Sequence, residues 1–186
     1  MQMLNKIFLS IFLFPFSIFT CSELDNLNLY DQDTKIISLE YTQIFEESEK
    51  SNITGEIYFI KPNLFKITTL LPSKSDLIAN EKKVYRTDYI LNETVQYDLE
   101  KVENQIPALL LLKSKKRVCS FLEDSEKSDF ISNIRIFKSK NNLEKISYKD
   151  QFGINTTIIF SKLTINQELD RKIFDYNKDT SLIILN

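Results

Sequence analysis

From Ile37 onward, apolar and polar residues alternate with a period of two over most of the chain. Ile37, Leu39, Tyr41, Gln43 and Phe45 share one parity, and Ser38, Glu40 and Thr42 the other. Successive side chains of a strand point to opposite faces, so this pattern demands a sheet with one face buried. It recurs in Ile57, Phe59 and Lys61, and in Phe65 and Ile67 across a Pro62-Asn63 turn. Leu77-Ile78 and Val84-Tyr85 flank Asn80-Glu81-Lys82 as a further hairpin. Thr94 to Leu99, Val118 to Leu122, Phe130 to Phe137, Leu143 to Tyr148, Ile154 to Phe160, Lys172 to Tyr176 and Leu182 to Leu185 read as strands too. Asn141-Asn142 and Asp150 to Gly153 are turns between them. Roughly nine to eleven strands joined by short loops predict a mainly β protein whose large antiparallel sheet curls on itself.

Two segments break the alternation. Glu23 to Asp33 carries leucines at 24, 27 and 29 and reads as a weak helix. Asn104 to Lys113 reads as a stronger one. Pro107 sits near its first turn, where a missing N–H costs nothing, and lysines follow at its C-terminal end. Leu109, Leu110, Leu111 and Leu112 cover most sides of that helix, so one side can lie on the sheet while the others need an apolar neighbour or ligand. Periodicity fits equally a filled core or a cavity under a lid.

Composition removes several classes of function. The chain has no histidine and two glycines. The commonest zinc ligand and general base are therefore absent, and so is a glycine-rich phosphate loop. Acidic pairs such as Glu46-Glu47 and Glu123-Asp124 read as solvated surface. We expect no enzyme activity, no metal and no cofactor. A net charge of −2 argues against nucleic acid as a partner.

Lys6, the apolar run Ile7 to Phe19, and the small residues Thr20, Cys21 and Ser22 form a secretory signal peptide, with cleavage expected after Ser22. The apolar run is too short for a membrane-spanning helix, which takes about 20 residues. The mature chain, 23–186, would be one domain, one charge more acidic once Lys6 is lost. It would keep Cys119 alone, so no disulfide is expected. Cys21 offers an alternative as a lipidation site, although Phe19 fits a lipobox poorly.

Larger pieces of sequence carry a resemblance. Tyr41-Thr42-Gln43, then Gly55-Glu56-Ile57-Tyr58-Phe59-Ile60-Lys61-Pro62-Asn63-Leu64-Phe65, is similar to the signature of the LolA family of outer-membrane lipoprotein carriers. Pro72, Leu77-Ile78-Ala79-Asn80, Val84-Tyr85, Pro107-Ala108-Leu109-Leu110, Asp150-x-x-Gly153, Thr156-x-Ile158-x-Phe160 and Phe174 follow in family order. The resemblance runs over roughly 36–186. It implies an incomplete antiparallel β-barrel, a half-barrel capped by a helical lid, whose hydrophobic cavity shields acyl chains in the periplasm. Leu39, Tyr41, Ile57, Phe59, Phe65 and Ile67, with Leu109 to Leu112 of the lid, would contact the lipid. The implied partners are acylated lipoproteins, an inner-membrane lipoprotein-releasing ABC transporter and the outer-membrane acceptor LolB, with the carrier itself a monomer.

Several residues depart from the family pattern. Lys61 replaces an arginine that latches the lid by donating to its carbonyls, and lysine is a flexible point charge where arginine is a planar fork. Asn80-Glu81 replaces an Asp-Gly turn, and Ile67 and Tyr85 replace tryptophans. The alternative is a LolB-like acceptor, similar in fold and lipidated at Cys21.

Overall fold

The computed structural model describes residues 21–46, 51–80, 82–102, 112, 115–123 and 131–185. Its frame is one sheet of ten strands. These are β1 (Ile36–Phe45), β2 (Ile53–Ile60), β3 (Leu64–Leu71), β4 (Ser75–Asn80), β5 (Lys83–Asp88), β6 (Glu93–Asp98), β7 (Ile131–Ser139), β8 (Asn142–Asp150), β9 (Asn155–Ile165) and β10 (Ser181–Ile184). The spatial order is β10-β6-β5-β4-β3-β2-β1-β9-β8-β7. Two meanders, β1 to β6 and β7 to β9, are thus joined through the β1–β9 ladder. The sheet stays open, with β7 and β10 as its edges, as an incomplete barrel requires. Every ladder is antiparallel except β10 on β6, which is parallel.

Register carries the alternation across strands. Ile37, Phe59, Phe65, Ala79, Val84 and Tyr97 stand opposite one another in turn and form one row from β1 to β6. The next row runs Leu39, Ile57, Ile67, Leu77. Both rows join a single apolar cluster with Ile136, Ile146, Ile158 and Phe160 of β7, β8 and β9. A one-residue slip would turn every one of these side chains outward, so the burial itself holds the register.

The N-terminal segment seals one end of this interior. The helix expected over Glu23 to Asp33 is instead two short 3-10 turns, Cys21–Asn26 and Asn28–Tyr30. Its three leucines are in place all the same, since Leu24, Leu27 and Leu29 are fully buried. Asn28 N–H donates to the Asn141 carbonyl at 2.9 Å. The Asn166 side chain accepts from Lys35 N–H at 2.8 Å and donates to the Asp33 carbonyl at 2.9 Å.

Two expected strands are not strands. Val118 to Leu122 lies in a helix, α2 (Lys115–Glu123), which follows the single turn α1 (Leu99–Val102). A five-residue apolar run fits either period. Val118 is buried while Lys116 and Ser120 are exposed, which is helical spacing. Lys172 to Tyr176 is a 3-10 turn, Arg171–Phe174, whose first N–H groups are capped when Lys172 N–H donates to the Asp170 carboxylate at 2.9 Å.

That turn belongs to a C-terminal crossing on the opposite, outer face. Phe174 is buried and its turn lies on β3 and β4. Ile78, between the inward Leu77 and Ala79, is buried on that face. The rings of Tyr176 and Tyr85 stack at 4.4 Å and 11°. Carried across β3, β4 and β5, the chain then lies parallel to β6 as β10. A polar row underlies the crossing. Thr68 donates to Asp76 at 2.8 Å, Tyr89 donates to the same carboxylate at 2.8 Å, and Lys66 stands 3.1 Å from it. Thr94, fully buried, bonds to both Thr87 and Thr180.

Candidate lipid-binding interior

The inner face of the sheet brings the sequence-selected residues together. Leu39, Tyr41, Ile57, Phe59 and Phe65 are all buried in one cluster, and Ile67 is half-buried against it. Phe59 and Phe65 meet edge to face at 6.3 Å and 72°, a favourable aromatic geometry. Of the leucine run, Leu112 is 2 % exposed and belongs to the same cluster. Leu109, Leu110 and Leu111 lie outside the described residues, as does most of the expected lid. Leu24, Leu27 and Leu29 close the interior at one end. Sequence reasoning noted those leucines without assigning them to the site; their spacing alone did not say which strands they would face. Phe160, Ile158 and Ile146 were also missed as lining, although their parity within β9 and β8 carried the signal.

Among the described residues, the polar groups of this interior include the phenols of Tyr41 and Tyr148 and the buried hydroxyl of Thr156. The Tyr41 hydroxyl shares a hydrogen bond of 3.1 Å with the Thr69 hydroxyl. Burial pushes the Tyr41 pKa up, and the Thr69 bond offsets part of that rise. Burial, with help from the Asp150 charge, pushes Tyr148 up to about 12. Among the described residues no group of His, Cys, Asp or Glu could hold a metal ion. Side chains of this kind favour contact with other apolar groups and disfavour an unpaired charge.

Lys61 stands at the corner after β2, where the Lys61–Pro62 peptide is cis. Its Nζ donates to the Leu29 carbonyl at 2.8 Å, in the second N-terminal 3-10 turn. Burial holds the ammonium below the ordinary lysine range, and the Asp31 charge offsets part of that effect. The latch was expected to hold lid carbonyls around Asn104 to Leu112. The bond recorded here holds the N-terminal segment instead, and residues 103–111 lie outside the described part.

The expectation that Cys119 stands alone is overturned. Cys21 is disulfide-bonded to Cys119, with Cα atoms 5.5 Å apart. The expectation rested on cleavage after Ser22, which removes Cys21 with the leader. Lys115 of α2 forms an ion pair with Asp25 beside this bond. No helix among the described residues is long and apolar enough to cross a membrane.

An open ten-stranded sheet with an apolar inner face and a C-terminal crossing packed on its outer face defines a mainly β fold. The sequence profile of the family described as "Outer membrane lipoprotein carrier protein LolA" matches residues 32–177, and the chain belongs to that family. It is 24% identical over 177 residues to the outer-membrane lipoprotein carrier protein of Neisseria gonorrhoeae, covering 87% of this chain and 86% of that one. To the corresponding carrier protein of Azotobacter vinelandii it is 27% identical over 138 residues, 66% of this chain and 67% of that one. An uncharacterized conserved protein from Thermus thermophilus, solved as a crystal structure, shares the fold. The TM-score is 0.55 at 10% identity, over 88% of this chain and 99% of that one.

Proposed function

We propose that the protein is a periplasmic chaperone that carries lipoproteins from the inner to the outer membrane with their acyl chains shielded in the concave interior. The observation that carries this reading is the apolar surface running unbroken from Ile37 through Phe59, Phe65 and Val84, sealed by Leu112 and the N-terminal leucines. Each methylene removed from water is worth about 0.8 kcal/mol, so a chain of some fifteen methylenes costs roughly 12 kcal/mol to hold exposed. A carrier between two membranes must therefore wrap its cargo, and the side chains here suit that task.

On this reading residues 1–22 contain the secretory leader and the rest is a single carrier domain, acting as a monomer. Cargo comes from an inner-membrane lipoprotein-releasing ABC transporter and passes to the acceptor LolB. Leu39, Tyr41, Ile57, Phe59, Phe65 and Ile67 contact the acyl chains, with Leu109 to Leu112 moving aside to admit them. Lys61 governs how readily the interior opens.

The test is native mass spectrometry of the protein isolated from the periplasm. Co-purifying acylated protein or lipid, displaceable by a fluorescent fatty acid, is the expected result. Phe65→Asp places a carboxylate at a fully buried site on the shared wall. If that variant folds and binds the probe as tightly as the parent, the acyl site lies elsewhere.

A further inference from the structure

The structure assigns Cys21 to a lasting disulfide with Cys119 in the exported protein, and we infer from this that leader cleavage falls upstream of Cys21 and that Cys21 carries no lipid. The Cα separation of 5.5 Å lies within the range disulfides occupy. Two independent contacts hold the two cysteines in place. Lys115 pairs with Asp25, four residues from each cysteine. Leu24 and Leu27, fully buried, share one apolar cluster with Leu112 and Val118, and both cysteines pack against it.

The chemistry balances with an oxidant of the compartment. The two thiols give up two protons and two electrons to a protein disulfide of a periplasmic thiol oxidase, through a mixed disulfide, and the oxidant leaves as a dithiol. A thioether-linked diacylglycerol would use the same sulfur atom of Cys21, so acylation and this bond exclude each other. The inference rests on the export half of the proposed function, and not on the cargo. It separates a freely moving carrier from a tethered acceptor. It also fixes the base of α2, immediately after the leucine run, to the segment that Lys61 holds.

The experiment expresses the full-length gene with its leader and fractionates the cells. It then reads the intact mass and N-terminus without reductant, and again after reduction and alkylation with iodoacetamide. A fluorescent fatty acid is titrated in parallel. The expected protein is in the periplasmic fraction and begins at or before Cys21. It takes no alkyl group before reduction and two after it. Its Tm falls by about 5–15 °C with reductant, as for loss of a disulfide closing a long loop. Cys119→Ser should make that Tm insensitive to reductant. A chain beginning at Glu23 with one free thiol, still binding the fatty acid, overturns the disulfide and leaves the carrier reading standing. A diacylated Cys21 in the membrane fraction overturns both and favours the acceptor. An intact disulfide without fatty-acid binding upholds the inference and defeats the carrier reading.

Discussion

At Gly55 the backbone of β2 passes so close to β3 that a Cβ would stand 2.0 Å from the Thr68 carbonyl oxygen and 2.7 Å from the Tyr41 ring. Neither can yield cheaply, because the carbonyl belongs to the sheet and the ring is buried in the interior. Gly55→Ala should therefore cost about 3 kcal/mol, the upper end for overpacking, read as a lowered urea midpoint. Gly153 is a contrast. Its φ is +80° and an added Cβ meets only the Lys149 side chain at 3.6 Å, so Gly153→Ala should cost only about 1 kcal/mol, from the backbone alone. Equal losses at the two sites would show that the close approach at Gly55 does not matter. Lys61 is a different kind of residue, since its ammonium is committed to the Leu29 carbonyl. Lys61→Leu removes that donor and extends the apolar wall toward the cargo. The proposed carrier should then retain acyl chains at least as tightly and hand them to the acceptor more slowly. Lys61→Arg, which keeps a donor, should transfer at nearly the parent rate. The check is the transfer rate from purified loaded protein to acceptor; a Leu variant as fast as the parent removes Lys61 from the release step.

The strands that alternate cleanly were legible from sequence, and they carry the site. Ile57, Phe59, Phe65 and Ile67 could be assigned to one face because parity survives a short hairpin unchanged. Elements stabilised by distant partners were not legible. Val118 to Leu122 is helical because one side of it packs on the N-terminal turns, a contact made by residues some ninety positions earlier. Phe174 read as a strand residue, yet it caps the outer face over Ile78, which local alternation had left unpartnered. The crossing that places it also makes β10 parallel, a pairing that no hairpin rule predicts. This element makes its own prediction. Phe174→Ala removes a fully buried ring from the outer face and should cost about 3–5 kcal/mol. The inner face is lined by other residues, so fatty-acid affinity of the folded variant should stay within about twofold of the parent, a change of less than about half a kcal/mol. A large loss of affinity with the fold intact would mean that the two faces are coupled through the sheet.

Across the whole molecule, the titratable groups divide the pH scale into a quiet region and a steep one. The absence of histidine leaves no side chain with an ordinary pKa between the carboxylates and the tyrosines, and both cysteines are bonded to each other. Stability and cargo transfer should accordingly be flat from about pH 6 to 9, so release by a histidine switch is excluded. Above that, the phenols decide. Burial, then the bond to Glu56 at 2.7 Å, pushes Tyr58 up to about 12. Burial, then the bond to Asp76, does the same for Tyr89. Tyr148 also reaches about 12, and Tyr30 and Tyr41 are raised by burial. In the unfolded chain all five titrate near the ordinary tyrosine value of 10.0. Their raised folded values contribute stability that is fully present below about pH 10 and is lost as pH rises toward about 12, because the unfolded chain sheds protons the folded chain keeps. Lys61 acts in the opposite sense, since its lowered value lets stability rise as pH approaches 10.5. One lysine against five phenols leaves the net slope downward. Urea midpoints measured from about pH 8 to 12 should hold steady and then fall, with phenolate absorbance of the folded protein lagging that of the urea-unfolded chain. Coincident phenolate titrations in the two states would mean that these hydroxyls, those of Tyr41 and Tyr148 in the interior included, are solvated in the folded protein.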